Sequence, residues 1–541
     1  MQNIGLELNK LTWLFIFGLV IFGCKDTPRE DNPAELTDLL VSPTTISLIY
    51  GGTPESQQIT ATALPEHLTD VAFVWESGDN KVAGVSQTGL VTATGVGSTQ
   101  ITVIANNQRK RIIPVTVSGI VRNRLIYAGL GYARNSVNTV PFRHNSIVTE
   151  GNIQYISFFN NNGNVMLGKR NLEDTKFEVN NTGISGFPSD AHNSLSIMTD
   201  GAGYLHVAVM THGGQMYYYR SNTPGSFSLT RQYMIGDTHG SVADLENSVT
   251  YIEFYRLPSG DLLLVYRNGG SGNGDMVLNR YTTSTQTWTR VHSRLVYGNN
   301  EQSPYWQMYL DAKGTLHLSW VFRYSGDVAS NHDMYYAYST DEGVSWRMKS
   351  NGDVYTMPIT PSNAEKVWDI PQNSNLINQT SMTADQEGNP YIATYYGTPQ
   401  VNYMVIFHDG AQWQERRVSN RSTTFSLNGG GTLMIPIARP RIVAQYDGST
   451  GKTKAFYVFR DAERGSKVSM YSTDEISSNN VWNVSDLTDF SVFAWEPSHD
   501  TELWKHQGKL HIYVQYADQI SGEGLSNHEP MPVYCLEVGL D

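Results

Sequence analysis

The sequence predicts an all-β fold in which a small β-sandwich precedes a large, seven-bladed β-propeller. Three observations predict this fold. Of the 541 residues, 40 % are hydrophobic but only 16 % are charged, and 48 are Gly. Short runs of alternating apolar and polar residues, broken by Gly, Pro and Asp, recur along the chain, and no long helical periodicity follows the first 24 residues. Such composition and spacing are typical of many short strands joined by tight turns.

Charge and cysteine content exclude several classes of protein. Lys and Arg total 38 against 51 Asp and Glu, a formal net charge of −13, which argues against a nucleic-acid partner because nucleic acids require a basic surface. A local cluster of Arg and His could still bind an anionic substrate. The two cysteines, Cys24 and Cys535, are too few for a disulfide framework or a zinc site built from several thiolates.

The first 23 residues have the features of a secretory signal. Lys10 precedes an apolar run that ends at Phe22, and Gly23-Cys24 follows. A basic start, a short apolar segment and a small residue before the cleavage point are typical of signal peptides, and the run is short for a bilayer span. The end of the run resembles the bacterial lipobox, which implies cleavage before Cys24 and lipidation of Cys24. The alternative is an ordinary signal peptide with an incidental cysteine.

Residues 24–37 form a polar, acidic segment that contains prolines and is expected to be a solvated linker. Acidic residues directly after the lipid-bearing cysteine resemble the surface-export signals of Bacteroidetes-type lipoproteins. We therefore expect the protein at the cell surface, held to the outer membrane by its lipid anchor.

Residues 38–118 have the strand spacing of a β-sandwich, with turn signals every few residues. The segment resembles the bacterial Ig-like domain of group 2, which implies a spacer or adhesion module without chemistry of its own. The phrases that carry the resemblance are Val41-Ser42-Pro43, Gly51-Gly52, Trp75-Glu76-Ser77, Val82-Ala83-Gly84-Val85, Gly89-Leu90-Val91-Thr92-Ala93 and Ile101-Thr102-Val103.

Residues 122–541 repeat one unit, in which a strand leads through an Asp-Gly or similar turn into a second strand. Clear examples begin at Asp200, Asp311 and Asp385. The repeat length is that of a propeller blade with four strands, and the length of this region allows seven blades. Ser339 to Trp346 also match the Asp-box, S-x-D-x-G-x-x-W, which recurs in sialidase-like propellers as a structural turn.

Four residues stand out because strand packing does not require them. His192 and His212 occupy equivalent ends of adjoining predicted strands, Tyr251 begins another strand, and Arg267 ends its partner before a Gly-rich loop. Each also has a purely structural interpretation, since most histidines and tyrosines of β-proteins are packing or hydrogen-bonded residues. Three other histidines lie within strand alternation and are expected in blade cores: His206, His317 and His511.

The large domain resembles the BNR-4 propeller group, which contains the ulvan lyases of polysaccharide lyase families 24 and 25. Further phrases that carry the resemblance are Gln154-Tyr155, Gly168-Lys169-Arg170, Asn331-His332-Asp333, Trp368-Asp369-Ile370-Pro371-Gln372, Asn378-Gln379-Thr380, Gly429-Gly430-Gly431-Thr432 and Trp495-Glu496-Pro497. The resemblance implies that His192, His212, Tyr251 and Arg267 form the catalytic site. It also places Asn193, Asn268 and Arg323 among the substrate-binding residues.

The resemblance implies a lyase that cleaves a uronic-acid-containing, sulfated polysaccharide of the ulvan type by β-elimination. Arg267 would neutralise the uronate carboxylate, since a guanidinium binds it in bidentate fashion. His192 and Tyr251 would form the base and acid pair, in an order that the sequence leaves open, and His212 would help hold the carboxylate. This scheme requires no cofactor or catalytic metal.

The presence of a structural metal ion stays open. Many relatives place a cysteine soon after the phrase Asn331-His332-Asp333, where this chain has Tyr335-Tyr336. This departure argues against a structural zinc at that place.

Two alternatives remain open at the level of sequence. One is a glycoside hydrolase of the α-L-rhamnosidase type on the same scaffold, for which His144 would be the residue to examine. The other is a non-catalytic glycan-binding protein at the cell surface. In each case the expected partners are an acidic polysaccharide and, through the anchor, the outer membrane, and the expected state is a monomer.

Overall fold

A computed structural model describes residues 35–51, 54–119, 123–235, 246–477 and 481–540. It divides into two compact units, Met1–Ile120 and Val121–Asp541. The predicted signal peptide, Cys24 and all but the end of the predicted linker lie outside the described residues. Among the described residues, no helix is long and apolar enough to cross a membrane.

The first unit is a β-sandwich, with Trp75, Ile101, Val103 and Val115 in its core. Its sheets have the strand orders β1-β4, β2-β9-β8-β5 and β3-β7-β6, and β2 pairs with β9 in parallel. The strands are β1 (Asp38–Ser42), β2 (Ile46–Tyr50), β3 (Ser56–Gln58), β4 (Thr60–Leu64), β5 (Phe73–Ser77), β6 (Ala83–Val85), β7 (Leu90–Ala93), β8 (Gly97–Ala105) and β9 (Arg109–Gly119).

The second unit contains seven four-stranded antiparallel sheets within the described residues, six of them built from four consecutive strands. The first three of these six are β11 (Ile147–Glu150), β12 (Ile153–Phe159), β13 (Asn164–Asn171) and β14 (Glu178–Ser185); β15 (Leu195–Thr199), β16 (Leu205–Met210), β17 (Met216–Ser221) and β18 (Leu229–Gln232); and β19 (Val249–Arg256), β20 (Leu262–Asn268), β21 (Asp275–Thr282) and β22 (Thr287–Val296). The next three are β23 (Ser303–Leu310), β24 (Leu316–Arg323), β25 (Asn331–Ser339) and β26 (Lys366–Trp368); β27 (Ser381–Ala384), β28 (Pro390–Tyr396), β29 (Asn402–His408) and β30 (Trp413–Arg417); and β31 (Arg441–Asp447), β32 (Lys452–Arg460), β33 (Lys467–Thr473) and β34 (Asn483–Ser491).

The seventh sheet joins the two ends of the unit, in the order β10-β37-β36-β35. Its strands are β10 (Asn123–Gly131), β35 (Ser498–His499), β36 (Leu510–Gln515) and β37 (Met531–Val538). The described residues also contain an α-helix, α1 (Thr501–Gln507), and short 3₁₀ helices at Val328–Ser330 and Ala462–Arg464. Pairing of β10 with β37 joins the start of this unit to its end. The all-β class predicted from the sequence is confirmed.

The first strands of successive sheets lie innermost. β11 contacts β15, β15 contacts β19, β23 contacts β27, and β27 contacts β31. Strands β15, β23 and β27 are buried at every residue, whereas the fourth strands are largely exposed or half-buried. Polar side chains at the ends of these inner strands therefore come from several sheets to one central region.

The Asp-turns of the repeats have a common structural role. In the sheet of β15–β18, Asp200 accepts hydrogen bonds from the backbone N–H of Ala202 and Tyr204, both at 2.9 Å. Its other oxygen lies 3.1 Å from Nε2 of His206, whose Nδ1 lies 2.7 Å from the Tyr218 hydroxyl. Asp311, His317 and Tyr336 repeat the arrangement. His206, His317 and His511 are all buried, so the burial predicted for these three histidines is confirmed.

The Asp-box is a tight turn, as predicted. Asp341 accepts a hydrogen bond from the Ser345 backbone at 2.9 Å, and the fully buried Trp346 donates Nε1–H to the Gly343 carbonyl at 3.1 Å. Gly343 has a φ of +88°, and a Cβ there would meet Leu278 at 2.9 Å. Glycine is therefore required both by the backbone and by contact with the neighbouring sheet.

Candidate active site

A cavity of about 410 Å³ opens at the central region of the second unit. Its wall combines apolar residues such as Phe142, Leu433, Met434, Ile435 and Phe493 with a larger polar set. The polar lining residues are Ser136, His192, His212, Tyr251, Ser271, Tyr305, Arg323, Asn378, Thr432, Arg439, Arg460, Ser466, Glu496 and Gln519. A concave site where apolar surface and convergent polar groups meet is a usual place for a ligand to bind.

His192 and His212 form a stacked pair at this cavity. Their ring centroids lie 4.2 Å apart with an interplanar angle of 16°. Asp190 joins them, because Oδ1 lies 3.2 Å from Nδ1 of His192 and Oδ2 lies 3.1 Å from Nδ1 of His212. Nδ1 of each ring is thereby engaged, and this leaves Nε2 of each ring for a ligand.

A second carboxylate contacts the same nitrogen of His192. Oε1 of Glu523 lies 3.2 Å from Nδ1 of His192 and also accepts the backbone N–H of Thr432 at 2.6 Å. Burial lowers the pKa of His192, but Asp190 and Glu523 outweigh burial and raise it overall. Burial opposes ionisation of the two acids, yet hydrogen bonds to His192 bring the pKa of each below its usual range. His192 is therefore placed to carry a positive charge.

Tyr251 adopts an unusual backbone conformation. Its φ of +64° lies in the left-handed region, which a bulky aromatic residue rarely adopts. The pairing of β19 with β20 shifts register between Thr250 and Glu253, so Tyr251 occupies a β-bulge on an inner strand. Bulges next to functional sites re-aim a side chain, and here the bulge turns the Tyr251 ring toward the cavity wall.

The Tyr251 phenol makes no hydrogen bond to any described residue, although the ring is 4 % exposed and packs at 4.8 Å against Phe142. A buried hydroxyl normally finds a partner, so an unpartnered one at a cavity is available to a ligand. Burial raises the pKa of Tyr251 to about 12, while Arg267, Arg323 and Arg439 lower it from what burial alone would give.

Arg267 does not line the cavity. Its guanidinium lies 4.7 Å from the centroid of the Tyr251 ring and 5.6 Å from that of Tyr305. Its hydrogen bonds go to the Tyr305 hydroxyl, Thr250 Oγ1 and the Gly269 carbonyl. No carboxylate among the described residues forms an ion pair with Arg267. The residue is only 1 % exposed, however, and lies one layer behind the cavity wall.

Arg323 presents a guanidinium to the cavity itself. It donates to the carbonyls of Asp327 and Gly326 and, at 3.5 Å, to the hydroxyl of Tyr305. Ser271 also lies 2.8 Å from the Tyr305 hydroxyl. No ion pair to Arg323 is found within the described ranges, so its charge is available to an anion.

The two predicted substrate-binding asparagines do not line the cavity. Asn193 is buried; it donates to the Phe187 carbonyl and accepts the backbone N–H of His212, each at 2.6 Å. It therefore positions His212. Asn268 is half-buried and is the last residue of β20.

His144, the residue examined for a hydrolase, lies elsewhere. It is buried, with Nε2 at 3.5 Å from Oε1 of Glu253 and 3.3 Å from Nη1 of Arg441. Burial, reinforced by Arg441 and His499, holds the pKa of His144 well below its usual range. It does not line the cavity, and this arrangement does not favour the hydrolase alternative.

Sequence reasoning missed several residues of the site: Asp190, Tyr305, Arg439, Arg460 and Glu523. Asp190 could have been found, because it stands two residues before His192 in a turn that begins a strand. The others are far from the predicted four in sequence, and no local pattern distinguishes them from the remaining Arg, Glu and Tyr residues.

The trio Asp190, His192 and His212 could also hold a cation, because one ligand atom of each lies within 4.8 Å of the others. Two imidazoles and a carboxylate suit a divalent transition metal. In the arrangement described here, however, both Nδ1 atoms are already hydrogen-bonded to Asp190. A metal bound through these atoms would have to replace both hydrogen bonds.

Comparison with known proteins bears out the resemblances predicted for the Ig-like domain and for the large domain. Residues 36–113 match the model of the bacterial Ig-like domain (group 2). Residues 153–421 match that of the BNR repeat-containing family.

Among curated proteins, the chain is similar to an ulvan lyase of Nonlabens ulvanivorans, with 24 % identity over 264 residues that cover 43 % of this chain and 55 % of that protein. It is also similar to the long isoform of an ulvan lyase of Glaciecola sp. (strain KUL10), with 34 % identity over 142 residues, 24 % of this chain and 14 % of that protein. The similarity thus spans about half of the first relative and much less of the second.

Two solved structures share the fold. One is a PL25 ulvan lyase bound to -[GlcA(1-4)Rha3S]-, with a TM-score of 0.54, 13 % identity, and coverage of 77 % of this chain and 96 % of that one. The other is the polysaccharide lyase Uly1, with a TM-score of 0.54, 14 % identity, and coverage of 78 % and 98 %. The fold of the second unit is therefore that of these polysaccharide lyases.

Proposed function

We propose that this protein is a polysaccharide lyase that cleaves a sulfated, uronic-acid-containing glycan of the ulvan type by β-elimination. The observation that carries the proposal is the unpartnered Tyr251 phenol, which lies in one cavity with the stacked pair His192 and His212. The ulvan lyases similar to the chain act on such a polymer, and their fold is shared. A proton donor, a proton acceptor and cations in one pocket are the groups that elimination requires.

Elimination at a uronic acid begins with neutralisation of the carboxylate, because the C5 proton leaves only if the resulting enolate is stabilised. Arg323 lines the cavity without an ion pair among the described residues, and His192 lies between two carboxylates that favour its charged form. We assign neutralisation to these two residues. Arg267 acts through Tyr251 and Tyr305, whose rings it touches, and is a positioning residue.

Proton transfer falls to Tyr251 and His212. The phenol, with a pKa raised to about 12 by burial, is protonated at neutral pH and suits donation to the departing O4. His212 lines the cavity, is the more exposed of the two imidazoles, and makes no hydrogen bond through Nε2 to any described residue. We therefore assign removal of the C5 proton to His212 and retain His192 as the cation.

The architecture and location are part of the same proposal. The seven sheets are the blades of a seven-bladed β-propeller, closed by the pairing of β10 with β37.

Lipidation of Cys24 holds the protein at the cell surface, on the outer membrane, where polymeric ulvan is accessible. Metabolic labelling with a fatty acid tests this anchor, since Cys24→Ala should abolish incorporation, whereas retained label would refute it.

The activity is tested by incubating the purified protein with ulvan and with other uronate-containing glycans while ultraviolet absorbance is followed. Elimination leaves a C4–C5 double bond conjugated to the carboxylate, and the absorbance of this product should rise. New reducing ends without that absorbance would indicate hydrolysis instead. Binding without any cleavage would indicate a glycan-binding protein, and either result would overturn the lyase proposal.

A further inference from the structure

The cavity contains a second cationic region, formed by Arg439, two residues before β31, and Arg460, the last residue of β32. Both arginines line the cavity. Phe142 lies between this region and Tyr251, since the Arg439 guanidinium lies 5.6 Å from the centroid of the Phe142 ring, and that ring contacts Tyr251 at 4.8 Å and His192 at 5.5 Å between centroids. The two arginines are thus near the reacting group but distinct from it.

Each of these guanidiniums has one nitrogen without a partner among the described residues. Arg439 donates from Nε and Nη2 to Glu496 at 2.9 and 2.6 Å, and Nη1 makes no hydrogen bond. Arg460 donates from Nε to the Trp495 carbonyl at 3.3 Å and from Nη1 to the Ile435 carbonyl at 2.9 Å, and Nη2 makes none. Arg460 is 4 % exposed.

Arg460 has no direct ion pair within the described ranges, unlike the neighbouring arginines. Glu496 binds Arg439 in bidentate fashion, and Arg421 pairs with Asp461 at 2.6 Å and with Glu463 at 3.8 Å. Arg460 donates only to carbonyl oxygens, so this buried guanidinium lacks a direct counter-ion among the described residues. A buried charge without a counter-ion is costly, and an anion in the cavity would remove that cost.

We propose that Arg439 and Arg460 form a subsite for the sulfate ester of the substrate, so that the protein selects a sulfated sugar next to the uronic acid. The inference rests on the proposed function. The uronate carboxylate must lie beside Tyr251, where Arg323 and His192 receive it, which leaves the sulfate as the remaining anion of the repeat. A sulfate monoester has several acceptor oxygens and can accept hydrogen bonds from two guanidiniums together.

The first experiment compares kcat/KM on native ulvan and on chemically desulfated ulvan for the wild type and for Arg460→Gln. The wild type should prefer the sulfated polymer by about 10- to 100-fold, the effect of a hydrogen bond to a charged group, and Arg460→Gln should abolish the preference. Arg464→Gln is the matched control, because Arg464 pairs with Asp486 outside the cavity and should keep the preference.

Equal losses by Arg460→Gln on both polymers would refute the subsite and indicate that Arg460 receives the carboxylate or supports the fold. Arg460→Lys controls for misfolding of the Gln variant. It keeps the positive charge but loses the paired N–H donors of the guanidinium, so it should retain part of the preference for the sulfated polymer.

A second measurement does not depend on lyase activity. Inorganic sulfate should raise the thermal unfolding midpoint of the wild-type chain and of Arg464→Gln, but not that of Arg460→Gln. Equal stabilisation of all three would refute the subsite. A wild type that binds sulfate but produces no unsaturated product from any glycan would refute the lyase proposal and leave the anion site standing.

Discussion

Replacement of Tyr251 by Phe removes one oxygen atom from the centre of the proposed reaction. The ring would keep its contacts with Phe142, Tyr305 and Trp306, at centroid distances of 4.8, 6.0 and 6.3 Å. The hydroxyl that is lost has no hydrogen-bond partner among the described residues, so the change leaves no orphaned group behind.

The structure sets different magnitudes for stability and for catalysis. Because no protein hydrogen bond is lost, we expect the free energy of unfolding to change by less than about 1 kcal/mol. A positioned proton donor contributes about 10²- to 10⁴-fold to a rate, so kcat should fall by that factor. This loss corresponds to roughly 3–5 kcal/mol in the activation barrier.

The assay follows ultraviolet absorbance of the unsaturated uronate product, with thermal unfolding measured on the same samples. Tyr255→Phe is a matched control on the same strand, because the Tyr255 hydroxyl donates to Glu253 at 2.6 Å and does not line the cavity. This control should show the opposite pattern, with a loss of about 1–3 kcal/mol in stability and unchanged kcat per folded molecule.

Two results would refute this reasoning. Retention of most of the wild-type kcat by Tyr251→Phe would mean that another group protonates the leaving oxygen. A large loss of stability together with activity would mean that the phenol has a structural partner, and the loss of rate would then say nothing about chemistry.

The remaining predictions concern the groups around the phenol. Asp190→Asn should lower kcat by about 10- to 100-fold, because one amide cannot replace a carboxylate that accepts from two imidazoles. The alkaline limb of the pH profile of kcat should also move to lower pH, because Asp190 raises the pKa of His192. An unchanged pH profile would show that Asp190 does not belong to the site. The pKa of His192 is raised on folding, so protonated His192 should stabilise the fold fully below about pH 6.5, and this stabilisation should be lost as pH rises through the raised pKa. The free energies of unfolding of His192→Gln and of the wild type should therefore differ most at acidic pH. A difference that does not change with pH would contradict this. Arg323→Gln and Arg267→Gln should both lower the unfolding midpoint, since each removes three hydrogen bonds of a buried guanidinium. Arg323→Gln should cause the larger loss of kcat/KM per folded molecule, because Arg323 lines the cavity and Arg267 does not; the reverse order would reassign the carboxylate to Arg267. Dialysis against EDTA should leave kcat/KM unchanged, and a loss restored by a divalent metal would identify the Asp190 cluster as a metal site.

Much of the architecture was predictable because it depends on local signals. Alternating apolar residues and Asp-Gly turns determine short antiparallel strands, and these predicted the all-β class, the Ig-like domain and the structural role of the Asp-box at Trp346. The pairing of His192 with His212 was also accessible, since both stand at equivalent ends of adjoining strands. The alternation of apolar and polar residues indicates which face of a strand a residue occupies and where the strand ends. This information was sufficient to predict the fold class, the turns and the pairing of the two histidines.

The composition of the cavity was decided only by the tertiary structure. The sequence placed Arg267 and Tyr251 on paired strands but could not show that the bulge turns the phenol to the wall and leaves the guanidinium behind it. Glu523 and Arg460 reach the site from sheets formed much later in the chain. Their convergence depends on the order and closure of the sheets, and these long-range contacts leave no pattern in neighbouring residues.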